Sequence, residues 1–154
     1  MSMITMKVNG QQRRLDADPQ MPLLYALRND LDLHGPRYGC GKGQCGACSV
    51  LVDGVVVRSC VTPTASVGRK SVTTLEGLGS SAQPSVVQQA FIDEQAAQCG
   101  YCINGMIVTA TALLQKNRKP SETEIRAALA DNLCRCGTHT RIVKAVQRAA
   151  RQMA

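Results

Sequence analysis

Eight cysteines stand in this 154-residue chain, at Cys40, Cys45, Cys48 and Cys60 and again at Cys99, Cys102, Cys134 and Cys136, and they constrain it more than any other feature. A secreted mini-protein with that count would be read as four disulfides. Here the stretch from Met1 to Arg14 is polar and holds no apolar signal core, which predicts a cytoplasmic protein whose thiols stay reduced. Eight reduced thiols in so short a chain point to metal.

The first set reads Cys40-Gly41-Lys42-Gly43-Gln44-Cys45-Gly46-Ala47-Cys48, with Cys60 after eleven intervening residues. C-x4-C-x2-C…C is the spacing of plant-type [2Fe–2S] ferredoxins. Three thiolates converging on one small anionic cluster need a tightly curled backbone. Glycines permit that curl and leave N–H groups free to point at sulfur. Cys60 follows the Asp53-Gly54 turn, which returns it beside Cys48. A structural zinc site favours paired C-x2-4-C spacings instead, so this set reads as iron–sulfur.

The second set is Cys99-Gly100-Tyr101-Cys102 and, after 31 intervening residues, Cys134-Arg135-Cys136. A C-x2-C pair fits zinc, iron–sulfur or a redox-active dithiol, and spacing alone leaves all three open. Both pairs precede predicted helices, whose N-terminal N–H groups and dipole suit an anionic group.

Around these sets the chain divides in two. The first half reads as strands and turns. Ile4, Met6 and Val8 alternate, Asn9-Gly10 offers a type I′ turn, and Arg13 to Ala17 return. Pro22 opens a short helix over Leu23 to Arg28; Ser49–Val52 and Val55–Cys60 flank the Asp53-Gly54 turn, and Val72 to Thr74 form a last strand. Gly77 to Gln83 reads as a linker. The second half reads as helices over Ser85–Gln95, Ile103–Lys116, Ser121–Ala130 and Arg141–Met153, the third opened by the capping box Ser121-x-x-Glu124. Arg141, Lys144, Arg148 and Arg151 fall off the apolar stripe of the last helix and read as a solvated face. Adjacent Asp93 and Glu94 do not face each other as an acid/base pair, and Met6, Met106 and Met153 read as packing. His34 and His139 would be needed as ligands of a Rieske-type centre only if the eight cysteines did not fill two cluster sites.

The formal charge is +7, but two oxidised clusters, each about −2 with its four thiolates, would bring it to about +3. Only Tyr25, Tyr38, Tyr101 and Phe91 are aromatic, a poor platform for stacking bases, so no nucleic-acid partner is expected. No apolar run approaches the roughly 20 residues of a membrane span. There is no flavin or dinucleotide fingerprint and no acid/base set, so the chain is not expected to be catalytic alone.

Together the two cysteine sets resemble the small iron–sulfur subunit of the xanthine oxidase family of molybdenum hydroxylases. Tyr38-Gly39-Cys40-Gly41, Gly46-Ala47-Cys48, Asp53-Gly54, Gln98 to Cys102 and Asn132 to Cys136 carry the resemblance, which extends from about Met6 to Ala150. It implies an α+β chain, with a ferredoxin-like β-grasp domain (residues 1–76) followed by a four-helix bundle (residues 77–154). Cys40, Cys45, Cys48 and Cys60 would hold an outer [2Fe–2S] cluster. Cys99, Cys102, Cys134 and Cys136 would hold an inner one, beside a molybdopterin cofactor bound by a large partner subunit. Gln98 and Cys136 would touch that pterin. Ile103-Asn104-Gly105 departs from the Thr-Pro-Gly of many members, and Asn104 is available there as a helix cap. Phe91 to Met106 and Cys136 to His139 are most similar to the nicotinate-hydroxylating branch of the family. That branch implies an electron-transfer subunit of an enzyme converting nicotinate to 6-hydroxynicotinate, whose large subunit carries molybdenum and cytochrome c modules and supplies any membrane contact. The alternatives are the small subunit of an isoquinoline- or aldehyde-oxidising relative, a stand-alone two-cluster ferredoxin, and a zinc-stabilised interaction module.

Overall fold

The computed structural model describes residues 1–154. Strands β1 (Ser2–Val8) and β2 (Gln11–Ala17) form the first hairpin, with Asn9 at φ 49 and Gly10 at φ 79 as a type I′ turn requires. The short helix α1 (Leu23–Tyr25) runs on into a wider π-helical turn, Ala26–Asp30, so this segment extends past the Arg28 expected from sequence. Strands β3 (Ser49–Val52) and β4 (Val55–Arg58) form the second hairpin, again turning on two positive φ values at Asp53 and Gly54. A 3-10 turn, Thr64–Val67, leads to β5 (Ser71–Thr73). The sheet order is β2-β1-β5-β3-β4, with β1 and β5 parallel and the other neighbours antiparallel. Met6, Val8, Leu15, Val50 and Val72 pack under Leu23 and Leu27 of the helical segment as the core of this half.

The helical half opens earlier than a linker over Gly77 to Gln83 would allow. One turn, α2 (Leu75–Leu78), occupies the start of that stretch. Then come α3 (Val86–Asp93), α4 (Ile103–Lys116), α5 (Glu122–Ala128) and α6 (His139–Met153). Ser85 caps α3 through a reciprocal capping box with Gln88, and Ser121 does the same for α5 with Glu124. Phe91, Met106, Ala110, Leu114, Ile125, Ile142 and Val146 form the core of the bundle. A small cluster of Leu51 from β3 with Val108 and Ala112 from α4 joins the halves.

The basic face of α6 is only partly solvated. Arg148 donates to Glu94 Oε1 at 3.1 Å, and its Nε lies 3.1 Å from Asp93 Oδ2 as an ion pair without hydrogen-bond alignment. Arg141 donates to the Gln95 carbonyl. Asp93 and Glu94 thus meet on one guanidinium and fasten α3 to α6, a pairing invisible without the tertiary fold. Lys144 and Arg151 are exposed as expected.

Candidate metal centres

The loop from Cys40 to Cys48 has no regular structure and is shaped by its glycines. Gly41 and Gly43 hold φ values of 67 and 73, a region that residues with a Cβ enter at a cost. The resulting curl aims the N–H groups of Lys42, Gln44 and Cys45 at Cys40 Sγ, at 3.3, 3.2 and 3.4 Å. Burial works against ionisation, but these donors outweigh it and bring the Cys40 thiol down to about 6. Cys45 Sγ in turn accepts the Cys40 N–H at 3.4 Å. Cys48 and Cys60 lie deeper, buried with Leu24. The β3–β4 hairpin brings them side by side, and Ser59 Oγ fastens the return by donating to the Cys48 carbonyl at 2.6 Å. Burial, then the hydrogen bond with Cys48, pushes Cys60 up to about 11.

The second set gathers at two helix starts. Cys102 is the residue before α4 and Cys99 stands three residues earlier, while Cys134 and Cys136 lie in the loop leading to α6. Burial and the neighbouring Cys134 push Cys102 up to about 12. Cys134 goes the other way, to about 7: burial opposes ionisation, but the Thr138 hydroxyl, 3.3 Å from its Sγ, and the Thr138 N–H prevail. Cys99 is drawn down by the Tyr101 N–H and by a hydrogen bond from Cys136. A cavity of about 430 Å³ is lined by Cys99, Cys102 and Cys134 together with Cys45 of the other set.

The eight thiols are free and neighbour one another within each set, most directly Cys40 with Cys45, Cys48 with Cys60, Cys99 with Cys136 and Cys102 with Cys134. No three Cys, His, Asp or Glu side chains stand close enough about one point to hold a single metal ion. Zinc would gather four ligands about one point. Two-iron clusters take two thiolates on each iron, with sulfide completing the shell. The donor set therefore fits one [2Fe–2S] cluster per set, and Cys40, Cys45, Cys48 and Cys60, and Cys99, Cys102, Cys134 and Cys136, are the residues that would hold them. Bound, such clusters supply one-electron storage.

The sets are tied together by hydrogen bonds that no sequence pattern announces. Leu133 N–H donates to the Cys45 carbonyl at 2.9 Å, linking a neighbour of Cys134 to Cys45 itself. Arg37 Nη1 donates to the Gly100 carbonyl at 2.7 Å and lies over the Tyr101 ring, whose hydroxyl donates to the Tyr38 carbonyl. Asn104 does not cap α4 as expected. Cys102 precedes that helix without a side-chain cap, while Asn104 Nδ2 reaches across to the carbonyls of Ala47 (2.9 Å) and Ser49 (3.1 Å). Behind it, Asn132 and Thr109 hydrogen-bond each other in a buried site. Tyr38, Tyr101 and Asn132 lie within the stretches that carry the resemblance, but no local pattern assigns them partners 23 to 63 residues away. Gln98 is exposed beside Cys99, Cys136 is half-buried, and His34 pairs with Asp32 at 2.6 Å on the surface.

Two family models match in tandem: a 2Fe-2S iron-sulfur cluster binding domain over residues 6–72 and a [2Fe-2S] binding domain over residues 74–147. The chain is 62% identical to a nicotinate dehydrogenase subunit of Pseudomonas putida, covering 96% of this chain and 94% of that one. It is 49% identical to the alpha subunit of isoquinoline 1-oxidoreductase from Brevundimonas diminuta, covering 99% of this chain and 100% of that one. The crystal structure of the aldehyde oxidoreductase from Desulfovibrio desulfuricans is similar with a TM-score of 0.94 and 45% identity over 97% of this chain; the chain spans only 17% of that much longer protein. With two tandem cluster-binding domains, eight free thiols in two sets and near full-length identity to oxidoreductase subunits, the chain belongs to the small [2Fe–2S] electron-transfer subunits of the xanthine oxidase family of molybdenum hydroxylases.

Proposed function

We propose that this chain takes electrons from a molybdopterin site held by a large partner and relays them singly through the inner cluster, then the outer cluster, to an external acceptor. Residues 1–76 form the unit that holds the outer cluster, through Cys40, Cys45, Cys48 and Cys60. Residues 77–154 hold the inner cluster, through Cys99, Cys102, Cys134 and Cys136, and present Gln98 and Cys136 to the pterin. The substrate reading is nicotinate: nicotinate and water give 6-hydroxynicotinate, two protons and two electrons. The observation that carries it is the 62% identity to the nicotinate dehydrogenase subunit over nearly the full length of both chains. The chain's own part is to position thiolates and exclude solvent from Cys48 and Cys60, which are 1% and 8% exposed. The immediate acceptor is a one-electron centre, such as a cytochrome c module on the partner, or a flavin on a partner, since hydride transfer needs a site that this chain does not build. The compartment proposed is the cytoplasm, where thiols destined for clusters stay reduced until they are loaded. No helix is long and apolar enough to cross a membrane.

The test is purification of the assembled complex, addition of nicotinate, and observation of cluster bleaching with 6-hydroxynicotinate formation. About four irons and four sulfides per chain are expected from two clusters. Stoichiometric zinc without sulfide ends the cluster reading. Isoquinoline is the second substrate to try, on the 49% identity to the isoquinoline 1-oxidoreductase chain, and bleaching by it but not by nicotinate overturns the nicotinate reading.

A further inference from the structure

Asn104 is buried, 2% exposed, in the second residue of α4, yet its side chain belongs chemically to the other half. Both Nδ2 hydrogens are spent on the carbonyls of Ala47 and Ser49, the two residues that bracket Cys48. Its Oδ1 is equally buried and meets no donor in the protein. A carboxamide with one end satisfied and the other bare is an oriented dipole, and a dry site screens it little. The positive end faces the backbone on either side of Cys48.

The packing makes this orientation hard to lose. A Cβ added at Gly105, the next residue, would run into the Gly46 carbonyl, so α4 approaches the cysteine loop backbone to backbone. Ser49, which supplies one of the two acceptors, is itself fully buried, and its hydroxyl donates to the Gly46 carbonyl at 2.7 Å. Arg58 donates to the same hydroxyl and to the Asp131 carbonyl from the opposite side. The amide is thus fixed on a frame of backbone and cannot turn its oxygen toward Cys48 without breaking both bonds.

We infer that Asn104 is a positioning residue for electron flow: its buried carboxamide stabilises the added electron on the cluster held by Cys48 more than on the cluster held by Cys102, and so biases the relay outward. Reduction adds one negative charge to a cluster, and the positive end of the amide lies beside the outer site, whereas nothing compensates the negative end. Hydrogen bonds and burial around the ligating sulfurs are the protein's means of setting such potentials. The inference rests on the two ligand sets proposed above. An error in those sets shows itself separately, as Cys45→Ser and Cys134→Ser abolishing the same paramagnetic signal.

The test uses the full chain carrying both clusters, reduced by one electron on average, with the share of the electron on each cluster read from its low-temperature paramagnetic signal. Asn104→Pro removes both donors at little cost to the helix, since the second N–H of a helix has no partner within it and proline suits the first turn. The ratio of outer-reduced to inner-reduced chains is expected to fall about tenfold, equivalent to ~59 mV for a one-electron couple. Asn104→Ser, which keeps one donor, is expected to fall part of the way. If Asn104→Pro does not load its clusters, Asn104→Leu decides, because it nearly keeps the shape, offers no donor and should shift the ratio in the same direction. Full signals with an unchanged ratio in the donor-free variant that loads overturn the inference, as does an equal shift of both clusters.

Discussion

At the scale of single residues, the glycine-shaped loop from Cys40 to Cys48 carries three thiols of the first set, and the β3–β4 hairpin returns Cys60 beside Cys48. The proposed division of ligands makes a sharp prediction. Cys45→Ser should remove one paramagnetic signal of the reduced chain and Cys134→Ser the other; loss of the same signal in both would show that the sets are wrongly divided. Asn104 was not legible. Its partners are 55 and 57 residues away, and from sequence an Asn near a helix start reads as a cap. The neighbouring glycine was equally silent. Gly105→Ala places a methyl group against backbone that has no room to yield, and overpacking of this kind costs about 1–3 kcal/mol. Denaturant unfolding should register that loss, whereas Gly137→Ala, at a position with nothing within 4 Å, tests a strained φ of 74 without any clash.

Among the elements, hairpins and helices are legible where their own residues decide them. Asn9-Gly10 and Asp53-Gly54 fix two turns by dihedral preference alone, and Ser121-x-x-Glu124 opens α5 as its spacing announces. Ser85-x-x-Gln88 is the same device at the start of α3, with a spacing just as local. Ser85→Ala should cost about 1 kcal/mol, the usual value of a cap, by leaving the Gln88 N–H without its acceptor. The α5 box adds a pH dependence. Ser121 donates its N–H and hydroxyl to Glu124, lowering that carboxyl below its ordinary value. A carboxyl lowered in the folded state lends stability that is present above the unfolded value of about 4.3 and is lost as pH falls through the lowered one. The protection factors of amides within Ile125–Leu129, which allow for the intrinsic slowing of exchange in acid, should therefore fall on acidification through that window. In Glu124→Gln the step should be absent, and a step of equal size there would assign it to another group. What sequence misses at this scale is docking: Arg148 reads as solvated until α6 is laid against the end of α3, where Asp93 and Glu94 receive it.

For the molecule as a whole, the two halves are legible as composition, strands before helices, but their joint is not, since every bond across it is long in sequence. Leu133 to Cys45, Arg37 to Gly100, Tyr101 to Tyr38 and Asn104 to Ala47 all run between the two cysteine sets. The joint therefore holds the two cluster loops in one fixed relation while leaving the far side of the inner set open. On that open side Gln98 and Cys99 are exposed and Cys136 is half-buried. Gln98 has no hydrogen-bond partner within the chain to explain its place, whereas Cys99 is already engaged with the Tyr101 N–H and with Cys136. An exposed amide next to a proposed cluster ligand is free to serve a group on another protein chain, and the proposed reading gives it the pterin. Gln98→Ala should then leave both paramagnetic signals and the thermal stability of the isolated chain unchanged, because it removes no internal bond. In the assembled complex it should slow reduction of the inner cluster by substrate, while reduction by dithionite, which does not pass through the pterin, stays at the wild-type rate. A slowdown with both reductants would place the lesion in the cluster itself. Equal rates with substrate in variant and wild type would move the pterin contact off Gln98.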